Sequence, residues 1–406
     1  MKNIAVLTAF GDFDPQYSLC NIVLEQIKLL DLLNYKVKWV VMDSFDPDKL
    51  GVKFNNVEFC KLPMFLFSTG VENMELITKK FKEFLKDVDV CFTHDLMFID
   101  TFLIFNMAIR ATGQTYPNIR WLHWLHSGPS PQPTGMKEDN LHRFRYQNMP
   151  NSYWIAMNYT DLPYVAKMLH TPEGYIRVVY NPVSVQDFFG MHPLSRQIIS
   201  DHKLLDCDVL MVYPLDTTRF SGGKGGNKII PLINAFKRMG VNAKMVFCNA
   251  WANAPQQQQL VKNLSGESVI FTSTYVGYEL GVPHQVVRDL MVISNVFVLP
   301  SLSEGCSLIL LEAGLTKNLV ILNEDSPSTK EFGEDKTLYM KWSGQQYGKM
   351  FTTAYNPNYD SYCDDWAKKI ITELDNNKAL TFNRKVLKNF NMYRIWKEQL
   401  EPLVEG

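Results

Sequence analysis

The stretch Val296-Phe-Val-Leu-Pro-Ser-Leu-Ser-Glu304-Gly-Cys-Ser-Leu-Ile-Leu-Leu-Glu312-Ala-Gly-Leu-Thr-Lys317 decides how the chain is read. Its apolar start, Val296 to Leu299, stops at Pro300 and predicts a short buried strand. A small polar loop follows, Ser301 to Ser307. Leu308 to Thr316 is dense in Leu, Ile, Ala and Glu, which favour helix. Asn318 closes that helix before a second apolar run, Leu319 to Leu322. The result is a strand–loop–helix–strand unit whose loop leaves the carboxyl end of a strand, where parallel α/β sheets bind their ligands.

Glu304 falls on the loop and Glu312 about a turn and a half inside the helix. At a rise of about 1.5 Å per residue the pair would lie roughly 10 Å apart. Between them the backbone N–H groups of Cys306, Ser307 and Leu308 stand at a helix start, a setting suited to an anion. A carboxylate, a row of amides and a second carboxylate fit a sugar, a diphosphate and a ribose in sequence. The plainer reading keeps Glu304 as a solvated loop residue and Glu312 as a helix-surface residue. One motif alone does not separate the two.

The bulk numbers bound the rest. A chain of 406 residues exceeds what one core holds, so about two domains are expected. With 46% hydrophobic and 20% charged residues it reads as globular, and a net charge of -1 argues against a protein whose main affinity is for nucleic-acid backbone. The seven cysteines are scattered without a CxxC pair, as expected for reduced thiols of a cytoplasmic protein rather than a zinc site or a disulfide frame. No run of about 18 apolar residues predicts a membrane span. The apolar N-terminal run is short and ends in Gly11-Asp-Phe-Asp-Pro15, so a first strand fits it better than a signal peptide.

Strand and helix patterns alternate along the chain. Strands are expected over residues 3–9, 36–42, 88–93, 119–126, 153–157 and 176–179, and helices over 19–33, 76–85, 97–111 and 161–170. A linker is expected from about Asn181 to Lys203, where Pro182 and Pro193 interrupt the periodicity. Beyond it, strands over 209–213, 243–248, 269–274 and 296–299 alternate with helices over 229–239, 256–264 and 285–293, before a mostly helical tail over 366–403. The expected fold class is α/β, with two Rossmann-like doubly wound domains facing a central cleft. The first would span 1–190, joined by a final helix of about 390–406, and the second 191–389.

Arg219-Phe-Ser-Gly-Gly-Lys224-Gly-Gly follows one strand and precedes a helix. Its glycines permit close backbone approach, and Arg219 and Lys224 supply fixed positive charge for a diphosphate. It also reads as a surface loop with two solvated cations, and it is not a P-loop. Arg219-x4-Lys224-Gly225, followed by Glu304-x7-Glu312, resembles the retaining glycosyltransferases of family 4, of GT-B fold. Trp154-Ile-Ala-Met-Asn, Val178-Val-Tyr-Asn-Pro-Val-Ser-Val-Gln-Asp-Phe188 and Val287 to Ser301 resemble it in the same order. The match covers most of residues 150–330; over the first 120 it is topological only.

By that resemblance Glu304 would hold donor-sugar hydroxyls and Glu312 the ribose. Arg219 and Lys224 would neutralise the diphosphate leaving group, helped by the amides of Gly305, Cys306, Ser307 and Leu308. The second domain would hold the nucleotide-sugar, UDP- or GDP-linked, the first would hold the acceptor, and no metal would be needed. Where the family often has Gly-Gly after the first strand, this chain has Gly11 alone, with Asp12 and Tyr17 nearby as further contacts. Gly305-Cys306-Ser307 replaces the usual Gly-Phe-Gly.

Trp121-Leu-His123-Trp-Leu-His126 ends a strand. Alternation puts His123 and His126 on opposite faces. His126, at the carboxyl end, matches a family histidine near the donor sugar, while a packed core histidine is the other reading. His123 reads as packed, and His94-Asp95 ends another strand as a weaker competitor. Trp121, Trp124, Trp154 and Tyr153 read as core rather than as stacking platforms.

By that resemblance the chain is expected to be a retaining, metal-independent glycosyltransferase acting from a nucleoside-diphosphate sugar on a hydroxyl of a glycan, a lipid or another acceptor. A GT-B-fold epimerase and a silent sugar-nucleotide-binding protein remain open, and a hydroxymethylated DNA base is a less favoured acceptor.

Overall fold

The computed structural model of the chain describes residues 2–63, 73–99, 102–126, 146–214, 225–248, 255–301, 304, 307–342 and 357–406. Contacts divide the chain into two units, Met1–Ser184 with Met392–Gly406, and Val185–Asn391.

The first unit is built on a parallel sheet of β1 (Asn3–Leu7), β2 (Lys36–Met42), β3 (Val57–Leu62), β4 (Val90–His94), β5 (Arg120–Trp124), β6 (Ser152–Ala156) and β7 (Ile176–Val178), in the order β3-β2-β1-β4-β5-β6-β7. Every ladder is parallel. Such a sheet is covered on both faces, so its strands are apolar without a polar side. In β1, Ala5 and Leu7 enter one core while Ile4 and Val6 enter the other. The first core receives α2 (Met74–Leu85), α3 (Leu103–Thr115) and α4 (Leu162–Met168) through Ile77, Phe81, Phe105, Ile109 and Val165. The second receives α1 (Ser18–Leu32) and the end of the chain, through Val23, Ile27, Ile395, Trp396 and Leu400.

The second unit begins with α5 (Val185–Phe188) and α6 (Pro193–Asp201). Its parallel sheet holds β8 (Val209–Tyr213), β9 (Ala243–Phe247), β10 (Val269–Phe271), β11 (Val296–Leu299), β12 (Leu319–Asn323) and β13 (Leu338–Met340), ordered β10-β9-β8-β11-β12-β13. One face packs against α7 (Ile230–Arg238), α8 (Pro255–Ser265) and, later in the chain, a long helix over Pro357–Asn376. The other packs against α6, α9 (His284–Ile293) and α10 (Leu308–Leu315). Asn295 ties the start of β11 to β8: its side chain accepts from Leu210 N at 2.9 Å and donates to Asp208 O at 2.8 Å. After β12 come α11 (Pro327–Gly333), α12 (the helix Pro357–Asn376) and α13 (Lys378–Asn389).

The chain then returns to the first unit as α14 (Met392–Ile395), a π-helical turn Trp396–Leu400, and α15 (Glu401–Glu405). Pro402 has no N–H to give to the Glu398 carbonyl, and the wider turn just before it absorbs that missing bond. Tyr35 donates to Glu405 at 2.6 Å, Arg120 donates to Leu403 O at 3.0 Å, and Gln399 accepts from Tyr180 N at 2.9 Å.

Two Rossmann-like doubly wound sheets, with the C-terminal helix returned to the first, match the fold class expected from sequence. The linker over 181–203 is corrected. Val185, Leu194, Ile198 and Ile199 are buried in the second unit's core, and Pro193 begins a helix instead of breaking one. The helix expected over 97–111 starts instead at Leu103, and β3 and β13 were not foreseen.

Candidate functional site

In the second unit the chain runs outward from β8 to β9 and β10, then returns to place β11 on the other side of β8. The loops leaving β8 and β11 therefore diverge at a topological switch point, where α/β sheets leave a crevice for ligand. In the chain, the two sequence motifs follow β8 and β11. Arg219 and Lys224 lie outside the described residues, as do Gly305 and Cys306.

Gly225 shows how the two motifs meet. Its φ is +65°, and a Cβ there would stand 3.1 Å from the Pro300 carbonyl and 3.1 Å from Lys228 Cδ. The glycine is thus required twice over, for its left-handed backbone and for the approach to the loop after β11. That loop is held from below. Asn323, the last residue of β12, donates to Ser301 O at 3.2 Å, and Ser328 donates to Glu304 O at 2.6 Å. Ser301 is fully buried and Glu304 is half-buried.

Ser307 is the extended residue capping α10, and its side chain makes no capping bond. The first N–H groups of a helix suit an anion; in this one Leu310 N already donates to Ser307 O at 3.0 Å. Leu308 begins the helix with its side chain 70% exposed. About one turn on, Glu312 Oε1 is 2.9 Å from His284 Nε2. His284 opens α9, and its role beside Glu312 was not read from sequence. The two lie 28 positions apart on different elements, so only the packing of α9 beside α10 shows the pairing.

The first unit has its own switch point, between β1 and β4. Gly11, on the loop after β1, accepts from Ser44 Oγ at 2.7 Å. Asp12 pairs with Lys49 at 2.7 Å, and the hydrogen bond from that lysine holds its carboxyl below the usual carboxylate range. His94 ends β4 and His126 follows β5, the neighbouring strand. His94 Nδ1 lies 2.8 Å from His126 Nε2. Burial holds both imidazoles neutral: His126 is pushed down to about 4, and His94 lies well below its ordinary value, through burial first and then the neighbouring His126. His123 is buried on the opposite side, 2.9 Å from Thr93 Oγ1 and with its ring tilted against Trp154, centroids 5.4 Å apart. Trp121, Trp124 and Trp154 are fully buried core residues.

In the second unit the described residues Gly225, Glu304, the start of α10 and Glu312 thus lie in the segments that follow β8 and β11, the two strands of its switch point. The first carries a neutral imidazole pair at its strand ends. The class defined by this architecture is an α/β protein of two Rossmann-like units, the composition of the GT-B fold. No protein-family model and no curated protein matches the sequence. Among solved structures the chain is similar to a glycosyltransferase from Rickettsia africae, at 14% identity over 100% of this chain and 98% of that one, with a TM-score of 0.37. It is also similar to HepE from Anabaena in complex with UDP, at 12% identity over 100% of both chains and a TM-score of 0.39. A third likeness is to a sucrose-phosphate synthase from Thermosynechococcus elongatus, at 14% identity over 97% of this chain and 96% of that one, with a TM-score of 0.37.

Proposed function

We propose that the chain is a glycosyltransferase that moves a sugar from a UDP- or GDP-sugar to an acceptor hydroxyl, with retention of configuration and without a metal. The observation that carries this reading is the close approach of Gly225 to the Pro300 carbonyl, which sets the residue after Lys224 beside the end of β11 at the switch point. Glu304 is assigned to hydroxyls of the donor sugar and Glu312 to the ribose. Arg219, Lys224 and the amides of Gly305, Cys306, Ser307 and Leu308 are assigned to the diphosphate. In the transfer, the bond from the anomeric carbon to the diphosphate oxygen breaks as the acceptor oxygen bonds to the same face. The acceptor's proton leaves with the diphosphate. Cations and helix-start amides stabilise the charge developing on that leaving group.

Gly11 and His126 are assigned to the donor from the first unit. Six cysteines, Cys20, Cys60, Cys91, Cys207, Cys248 and Cys363, are buried free thiols, which supports a reducing compartment such as the cytoplasm. Among the described residues no helix is long and apolar enough to cross a membrane.

A thermal-shift panel of UDP-, GDP-, ADP- and dTDP-sugars tests the reading. A ligand at 100 times its Kd adds about 2.7 kcal/mol of stability. One responder, lost in Glu312→Ala, is expected; no responder overturns the proposal. Product stereochemistry by NMR then tests retention, and unchanged turnover in a chelator tests metal independence.

A further inference from the structure

The histidine pair in the first unit contains more information than its hydrogen bond. His94 ends β4 and His126 follows the neighbouring parallel strand β5, with ring centroids 5.1 Å apart and planes inclined by 23°. His94 also lies against Trp124, at 5.2 Å between centroids. The inner nitrogens, His94 Nδ1 and His126 Nε2, share one hydrogen. The outer nitrogens, His94 Nε2 and His126 Nδ1, are both buried without a hydrogen-bonding partner among the described residues.

A neutral imidazole carries one N–H and one bare nitrogen. Whichever histidine donates at the inner contact fixes the state of both outer atoms. If His94 donates, its Nε2 is bare and His126 carries its hydrogen on Nδ1. If His126 donates, the pattern reverses. A buried N–H without an acceptor is rarer in folded proteins than an under-satisfied acceptor. The hydrogen therefore avoids the outer atom of the more deeply buried ring. That ring is His94, 2% exposed, whereas His126 is only partly buried where the chain leaves β5.

We propose that His94 is a positioning residue: it donates through Nδ1 to Nε2 of His126, fixes His126 as the Nδ1–H tautomer, and makes it a hydrogen-bond donor toward a ligand oxygen instead of a base. The tautomer stands on geometry alone, while the role toward a ligand rests on the transferase reading. Partner-fixed tautomers of this kind orient catalytic and metal-bound histidines generally.

The test separates the two parts. The full chain labelled with ¹⁵N-histidine, without substrate, reports by NMR which ring nitrogens carry hydrogen, with His126→Gln assigning the signals. In the wild type His126 is expected to be protonated at Nδ1 and bare at Nε2. His94→Phe removes the donor and keeps an aromatic ring against Trp124; His126 is then expected to move its hydrogen to Nε2. His94→Asn places an amide near the position of Nδ1 and should restore the original tautomer. A wild-type His126 protonated at Nε2, or one unmoved by His94→Phe, overturns the proposal. With a donor and acceptor in hand, His94→Phe should lower kcat/KM about tenfold or more while His94→Asn keeps most of it. A tautomer that shifts with unchanged transfer overturns the ligand-facing role. Absence of transfer in the wild type would count against the transferase reading and leave the tautomer result intact.

Discussion

Replacing Gly225 by alanine sets the decisive contact against its own control. The residue has φ +65°, and the added methyl would stand 3.1 Å from the Pro300 carbonyl, inside the roughly 3.5–4 Å optimum for such contacts. Left-handed backbone costs alanine about 1–2 kcal/mol, and forcing a methyl into packed surroundings adds about 1–3 kcal/mol. Gly240 supplies the comparison: its φ is +75°, with nothing within 4 Å of a built Cβ. Gly240→Ala should therefore show the backbone cost alone, and Gly225→Ala that cost plus displacement of the β11 loop. For a unit of this size each kcal/mol is worth roughly 2–4 °C in Tm. Calorimetry should show about twice the fall in Tm for Gly225→Ala. Titration with the nucleotide-sugar that responds in the thermal panel should show at least tenfold weaker binding, about 1.4 kcal/mol, for Gly225→Ala only. Equal loss of stability in both variants, with wild-type affinity in Gly225→Ala, would refute the argument that this approach shapes the site.

Other expectations follow from single groups. Glu312→Ala should weaken donor binding about 10- to 100-fold in calorimetric titration, the scale of a lost hydrogen bond to a charged group; unchanged affinity removes it from the ribose. Lys224→Ala should reduce kcat at least roughly tenfold, as expected for one cation lost from a developing anion. Trp396→Ala, which empties a buried site beside Tyr35 with its ring 5.3 Å away, should cost about 3–5 kcal/mol in urea titration. His94, His123 and His126 are all held neutral in the fold, His123 down to about 3 through burial and then the Arg110 charge. The unfolded chain takes up protons on them below about pH 6.5, so their contribution is complete above that value and is lost as pH falls toward 4. Denaturation at pH 7 and pH 5 should show the loss, about 1.4 kcal/mol per pH unit for each histidine, and His123→Gln should reduce the slope.

Much of the fold was legible because buried parallel strands are written as unbroken apolar runs. Lys36–Met42, Val209–Tyr213 and Val296–Leu299 match their expected bounds. The strand β3 was missed because an edge strand is covered less fully. Glu58 and Lys61 face outward and break the run. Helix α6 was lost to Pro193, which the periodicity reads as a breaker. In the fold it stands at the first helical position, where its missing N–H costs nothing, and His192 accepts from Leu194 N at 3.1 Å. In the candidate site, the helix that carries Glu312 was legible from its Leu, Ile and Ala content. The pairings His94–His126 and Glu312–His284 were not, since each joins residues about 30 positions apart whose proximity is set by strand order or helix packing.

The return of Met392–Gly406 to the first unit has a consequence in time. The second unit is an insertion of roughly 200 residues between two parts of the first. A chain emerging from the ribosome at about 5–20 residues per second would leave α1 and β1 without their last covering layer for roughly 10–40 s. Tyr35, Ile27 and Val23 are the residues that wait, and Trp396 and Leu400 are what they wait for. A stop codon introduced after Asn391 would leave the second unit whole and the first permanently unfinished.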